Sequence, residues 1–173
     1  WRVALDGGRT VDFTPLQDGI EDDLSTRDFT INAIARPLNG GDPVDPFGGR
    51  ADLDRRVLRA VAPTIFQDDP LRLLRAVRLE DELGFRLDAE TERLIREHTS
   101  LVDRPAGERI FAELVRLSPQ GFERLDELGL LEPLGGTLER ARELGETSVR
   151  LRLVAVFGEQ LRRGQQVAQV VVD

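Results

Sequence analysis

The sequence has no cysteine, no methionine, no tyrosine and no lysine, and it contains one histidine. Without cysteine there can be no disulfide, no thiolate metal site and no thiol nucleophile within the chain. With His98 as the sole imidazole, catalytic triads and multi-histidine metal sites are excluded unless another chain contributes. A metal would have to be held by carboxylates, which suits Mg²⁺ or Ca²⁺. Apolar runs are only a few residues long, so no membrane-spanning helix is expected. No basic leader followed by a hydrophobic stretch opens the sequence, so no export signal is expected and the location is read as cytoplasmic. Trp1 leads directly into a strand pattern, and the chain therefore reads as a fragment.

What is present fits a globular domain or two small ones. The 173 residues are 40% hydrophobic and 32% charged, and a chain of this length buries roughly 70% of the surface its unfolded form exposes. All 24 basic residues are arginine. A GC-rich codon bias would produce this, and so would a use for forked, permanently charged donors. The net charge of −8 argues against nucleic-acid binding through a bulk positive field. Its distribution is uneven. Between Arg50 and Arg78 seven arginines face four aspartates, whereas from Leu79 to Asp103 eight acids face three arginines. Positive charge is thus local, as a bound phosphate group would require.

The expected class is α+β. Arg2–Leu5 and Thr10–Thr14 flank Asp6-Gly7-Gly8-Arg9 and predict a β-hairpin. Glu21 to Arg36 has a helix pattern with an acidic first turn, stopped by Pro37 and Asn39-Gly40-Gly41. Residues 42–49 are loop, and 53–62 read as a helical turn running into a strand at 57–61. Beyond Pro63 only helices are expected: Asp69/Pro70 to Glu82, Asp88-capped 89–97, 105–117, and Ser118-Pro119 to Gly129. Helices at 137–144 and 147–162 and a strand at 166–172 would follow. The break near residue 62 divides the chain.

Four places could carry chemistry. In Asp69-Pro70-Leu71-Arg72-Leu73-Leu74-Arg75-Ala76-Val77-Arg78, residues three apart are neighbours on a helix, so Asp69, Arg72, Arg75 and Arg78 form a slowly spiralling polar stripe. An Asp beside an Arg can match the edge of a nucleobase, and further arginines can grip phosphates by forked contacts. The alternative is an Asp N-cap with a solvated arginine face. No acid follows four residues after Arg72 or Arg75, whereas Arg78 has Glu82 in reach. In the second place, Thr26 to Ala33, Arg27 and Asp28 precede Thr30 and Asn32, poor helix formers that ask for side-chain partners. Asp12, on a strand, reads alone as an exposed carboxylate. Asp45 to Leu53 is a tight turn with Asp52 a plausible cap, while His98 reads as a surface residue at a helix end.

Taken in order, three segments resemble the bacterial tRNA nucleotidyltransferase (CCA-adding) and poly(A) polymerase family, class II. They are R-D-F-T-I-N-A-I-A at 27–35, D-P-F-G-G-R-A-D-L at 45–53 and D-D-P-L-R-L-L-R-A-V-R at 68–78, supported by E-L-G-F at 82–85 and G-E-R-I-F-A-E-L at 107–114. The resemblance implies a template-independent enzyme that adds CMP or AMP from CTP or ATP to RNA 3′ ends, in tRNA CCA addition or polyadenylation. It implies that Arg27 and Asp28 contact the incoming nucleotide, that Asp69 and Arg72 read its Watson–Crick edge, and that Arg75 and Arg78 hold the triphosphate. Asp12 would be the catalytic third carboxylate near two Mg²⁺ ions whose main ligands are not in this sequence. RNA, through the tRNA 3′ end, is the implied partner.

The implied architecture is the end of a palm-like nucleotidyltransferase head at 1–62, a helical neck or RNA-binding region at 63–129, and the start of a helical body at 130–173. The chain departs from the family in several ways. The Gly-rich loop and the Asp-x-Asp metal pair are missing, Thr26 and Gln17 stand where arginines are common, Asp68 replaces a usual glutamate, and the Gln17–Glu21 loop is short. A non-catalytic RNA- or nucleotide-binding module derived from this family is the second reading, and a helical interaction domain with solvated arginines is the third.

Overall fold

The computed structural model describes residues 1–16 and 18–139. In chain order the elements are β1 (Arg2–Ala4), β2 (Thr10–Asp12), α1 (Ile20–Ser25), α2 (Gly49–Arg55), β3 (Val57–Leu58), α3 (Ile65–Asp68), α4 (Leu71–Leu83), β4 (Arg86–Leu87), α5 (Ala89–Glu97), α6 (Gly107–Leu114) and α7 (Pro119–Glu127). Short 3-10 turns lie at Asp6–Gly8, Thr30–Asn32 and Thr99–Leu101. The α+β class expected from the sequence holds.

β1 and β2 form the expected antiparallel hairpin, with Arg2 opposite Asp12 and Ala4 opposite Thr10. Gly7 and Gly8 both take positive φ, 76° and 74°, which a side chain would resist and which closes the turn. Every residue of this hairpin is exposed.

The helix expected over 21–36 does not form. α1 stops at Ser25, where the Ser25 and Thr26 hydroxyls each donate to a backbone carbonyl three residues back, at 2.7 Å. Short polar side chains compete with the helical ladder in this way. The chain then turns extended: Phe29 bridges Ala60 in antiparallel fashion, the Thr30 amide donates to the Arg59 carbonyl (2.9 Å), and the Val61 amide donates to the Asp28 carbonyl (3.1 Å).

The part beyond Pro63 is not purely helical either. β4 pairs in parallel with β3, Val57 beside Arg86 and Leu58 beside Leu87. Two residues are too few to leave a period-two pattern in the sequence. α3, four residues long, escaped the sequence for the same reason. The later helices follow their signals more closely. Asp88 caps α5 by accepting from the Thr91 amide (3.0 Å), and Ser118 caps α7 by accepting from Gly121 (3.3 Å). The elements expected beyond residue 139 lie outside the described residues.

α4 is the centre of the core. It buries Leu71, Leu73, Leu74, Ala76 and Val77 and packs against both α6 and α7. The same apolar cluster includes Phe29, Leu58, Phe66, Ile95 and Phe122. The core therefore runs across residue 62, and the buried Thr91 hydroxyl adds a bond there by accepting from the Ala60 amide (2.9 Å).

Ion pairs fasten the helices outside this core. Arg124 of α7 reaches Glu80 of α4 (2.8 Å) and Glu92 of α5 (2.5 Å). Hydrogen bonds from Arg96 and Arg124 hold the Glu92 carboxyl below the ordinary glutamate value of 4.5. A depressed folded-state value means the contribution is complete above that ordinary value and is lost as the pH falls below it. Acid unfolding should accordingly steepen below about pH 4.5. Glu92→Gln should flatten that part of the profile, measured by circular dichroism during acid titration, while leaving the neutral-to-alkaline limb parallel to wild type.

Candidate functional site

Two segments far apart in sequence meet along one side of α4. The first is Thr26–Asn32, held in its extended-then-turned form by two buried carboxylates. Asp28 is 6% exposed. Its Oδ1 accepts from the Phe29 amide (2.8 Å) and from Asn32 Nδ2 (3.0 Å). Asp52 is 3% exposed and accepts from the Thr30 hydroxyl (2.7 Å) and Arg59 Nε (3.0 Å). Thr30 and Asn32 thus have the partners their poor helix propensity called for, but in a turn instead of a helix.

The second segment is the first half of α4. Arg75 Nε lies 2.8 Å from the Asp28 carboxylate. Arg72 donates from one terminal nitrogen to the Thr26 carbonyl (2.7 Å) and from the other to the Ile65 carbonyl (3.4 Å). Both arginines therefore reach the Thr26–Asp28 stretch, Arg75 while its guanidinium stays open to solvent. Asp69 stands at the start of the helix. Its Oδ1 accepts from the Leu71 amide (3.2 Å), and its Oδ2 accepts from Arg109 of α6 (2.8 Å). Arg27 is exposed and pairs with Asp23 one turn back (2.5 Å).

The expected stripe of four splits after Arg75. Each step of three residues falls about 60° short of a full turn at 3.6 residues per turn, so by Arg78 the direction has swung well round the helix. Arg78 is buried, with Glu82 at 2.6 Å and Glu113 of α6 on its other side. Its guanidinium clamps α4 to α6, a correction to the expectation that it holds a triphosphate beside Arg75. Asp12 also stands apart from the others. Arg2 donates to both its oxygens (2.7 and 2.9 Å), and these bonds hold the exposed Asp12 carboxyl below its ordinary range.

Among the described residues no group of three or more His, Cys, Asp or Glu side chains is placed to hold a metal ion.

Two further expectations change. Asp52 is not the cap of α2. Asp45 performs that task, accepting from the Gly49 and Arg50 amides (2.6 and 3.0 Å). His98 is half-buried and tilted against Phe66, with ring centroids 6.5 Å apart. Its nitrogens meet the Leu94 carbonyl and the Gln67 amide, each at 2.8 Å. Arg59 and Arg109 were missed, because each contacts a carboxylate too distant in sequence for spacing to reveal.

Residues 6–59 match the family model described as "Poly A polymerase head domain". Residues 84–139 match that described as "Probable RNA and SrmB- binding site of polymerase A". The chain belongs to the tRNA nucleotidyltransferase and poly(A) polymerase family.

Among its relatives is the CC-adding tRNA nucleotidyltransferase of Geobacter sulfurreducens, 49% identical over 118 residues, covering 67% of this chain and 27% of that protein. The A-adding tRNA nucleotidyltransferase of Deinococcus radiodurans is 44% identical over 142 residues, covering 76% of this chain and 32% of that protein. A CCA-adding enzyme solved in complex with ATP superposes with a TM-score of 0.79 at 26% identity, covering 99% of this chain and 50% of that one. The chain spans about a third of the length of the curated relatives it matches.

The close approach of α2 to the Thr30 turn offers a direct check on the site's scaffold. A Cβ at Gly49 would lie 2.0 Å from the Thr30 carbonyl oxygen, so Gly49→Ala must push the two backbones apart. The expected outcome is a loss of at least about 2 kcal/mol, in the range of overpacked cores, read as a lowered denaturant midpoint. A control Gly107→Ala, where no atom lies within 4 Å of the added Cβ, should not lower it comparably.

Proposed function

We propose that this chain forms the nucleotide-selecting part of a template-independent tRNA nucleotidyltransferase, which transfers CMP or AMP from CTP or ATP to a tRNA 3′ end. One observation carries the reading. Arg72 and Arg75 of α4 converge on Thr26–Asp28 in a chain whose segments match the head and RNA-binding parts of this family. The relatives' names and the ATP bound to the solved neighbour support the same substrates.

The chemistry of selection follows from donors and acceptors. A carboxylate offers about four lone-pair sites, and Asp69 uses one on each oxygen. The others can accept from the exocyclic amino group shared by cytosine and adenine. Arg72 spends two nitrogens on carbonyls and has donors left for the adjacent ring nitrogen. Uracil and guanine present an acceptor where the amino group should be, and an acceptor facing a carboxylate repels. Arg75 keeps its terminal nitrogens for a phosphate oxygen, while Arg27 on the opposite side adds a second guanidinium if it leaves Asp23. Arg78 holds α4 in register with α6 and makes no contact with the nucleotide.

Asp12 keeps a catalytic role only if it parts from Arg2. Metal ions would supply charge neutralisation in such a transfer, but the described residues hold no ligand set, so no step is assigned to them. The division expected from the sequence is retained in this reading: head to residue 62, RNA-binding helices to 129, helical body thereafter. A tRNA partner and nucleoside triphosphate substrates support the reading of a cytoplasmic location.

Asp69→Ala tests the reading. Each bidentate match to a base edge is worth about 1–3 kcal/mol, so the preference for CTP over UTP should fall roughly 5- to 150-fold in equilibrium titrations. An unchanged preference, with thermal stability intact, would remove the base-reading role.

A further inference from the structure

Among the described residues ten arginines pair with carboxylates, as Arg93 does with Glu90 and Glu97 and Arg124 with three acids. Arg36, Arg50, Arg55, Arg56, Arg86 and Arg104 have no such pair, and three of these, Arg55, Arg56 and Arg86, are neighbours through the backbone. All three are exposed, and among the described residues none has an ion pair or side-chain hydrogen bond. They are also gathered in one place. Arg55 ends α2, Arg56 follows it, and the Arg86 amide donates to the Arg56 carbonyl (3.1 Å), with Arg86 opposite Val57 in the β3–β4 pair. Asp54, beside them in sequence, pairs with none of them.

The backbone supplies an independent observation. Arg56 sits in the left-handed region at φ 55°, the only non-glycine among the described residues to do so. Other helices here end in that conformation on glycine, as α4 does at Gly84 (φ 62°). An arginine in this position costs about 1 kcal/mol relative to glycine. Among the described residues no ion pair or side-chain hydrogen bond of Arg56 offsets it. Three exposed arginines on adjacent backbone, none with a carboxylate partner, in a chain of net charge −8 have the chemistry of a phosphate-binding surface.

We propose that Arg55, Arg56 and Arg86 form a contact surface for the sugar–phosphate backbone of RNA. The proposal rests on the reading above, because it takes the tRNA as the polyanion. The connection to the nucleotide site is short. Val61, whose amide bonds the Asp28 carbonyl, is five positions beyond Arg56, a span of at most about 17 Å of extended chain. The backbone of a strand whose end lies at Asp28 can therefore reach the patch within a few nucleotides. The contacts carry no base specificity. They fix where the acceptor lies while α4 reads the incoming base.

The test is tRNA affinity measured by filter binding across a potassium chloride series, comparing wild type with the triple variant Arg55→Gln, Arg56→Gly, Arg86→Gln. Each lost phosphate contact should lower the slope of log K against log[salt] by about 0.7–0.9, so a drop of about two is expected, with affinity loss greatest at low salt. CTP affinity should stay unchanged. Arg56→Gly alone separates this from a folding effect, because it relieves backbone strain: it should leave the melting temperature unchanged or higher and still weaken tRNA binding. Arg93→Gln, taken from a fully paired site, should leave the slope alone. A wild-type slope retained by the triple variant overturns the proposal and leaves the functional reading standing. Failure of the wild-type protein to bind tRNA at all would instead overturn both.

Discussion

The ion pair between Asp28 and Arg75 is the contact on which the site's geometry depends. It joins a segment with no regular structure of its own to the central helix of the core. Asp28 is buried and fully engaged, with one oxygen taken by its own neighbourhood and the other by Arg75. Burying a carboxylate without such partners would cost several kcal/mol, so the pair and the turn support one another. Asp52 does the same for Thr30 from the α2 side. Between them the two carboxylates fix the Asp28–Asn32 turn, while the end of α1 holds Thr26 and Arg27.

α4 shows how one helix can serve several purposes by direction alone. One side supplies the leucines and valine of the core. Its first turns aim Arg72 and Arg75 at the Thr26–Asp28 stretch. Further along, Arg78 and Glu82 tie it to α6, where Arg116 also reaches Glu82 (2.7 Å). Asp69 at its start is tied to α6 by Arg109. A helix clamped at both ends in this way presents its arginines at a fixed distance from the facing segment. Pre-organisation of this kind is what selection between similar bases requires.

Much of the site was legible before any coordinates. Residues such as Asp69, Arg72 and Arg75 stand out in the sequence because they repeat at i, i+3 along one helix with no acid four residues after either arginine. Thr30 and Asn32 signalled outside partners by their poor helix propensity, although the pattern around them was misread as a continuous helix. Arg78 was grouped with its neighbours because spacing in sequence is linear, while direction around the helix drifts. Asp52 reads as a cap in sequence because its true partners, Thr30 and Arg59, are not adjacent to it.

The sequence by itself determined what depends on near neighbours: the hairpin turn at Gly7-Gly8, the capped helices at Asp88 and Ser118, the arginine-bearing helix and the family to which the motifs point. These features arise from backbone preferences and hydrogen bonds spanning a few residues. Tertiary structure alone decided which arginines face the site, which brace the core and which remain unpaired. That choice rests on contacts between residues tens of positions apart, Asp28 with Arg75 and Asp69 with Arg109, whose pairing energy exists only once the core has brought the helices together.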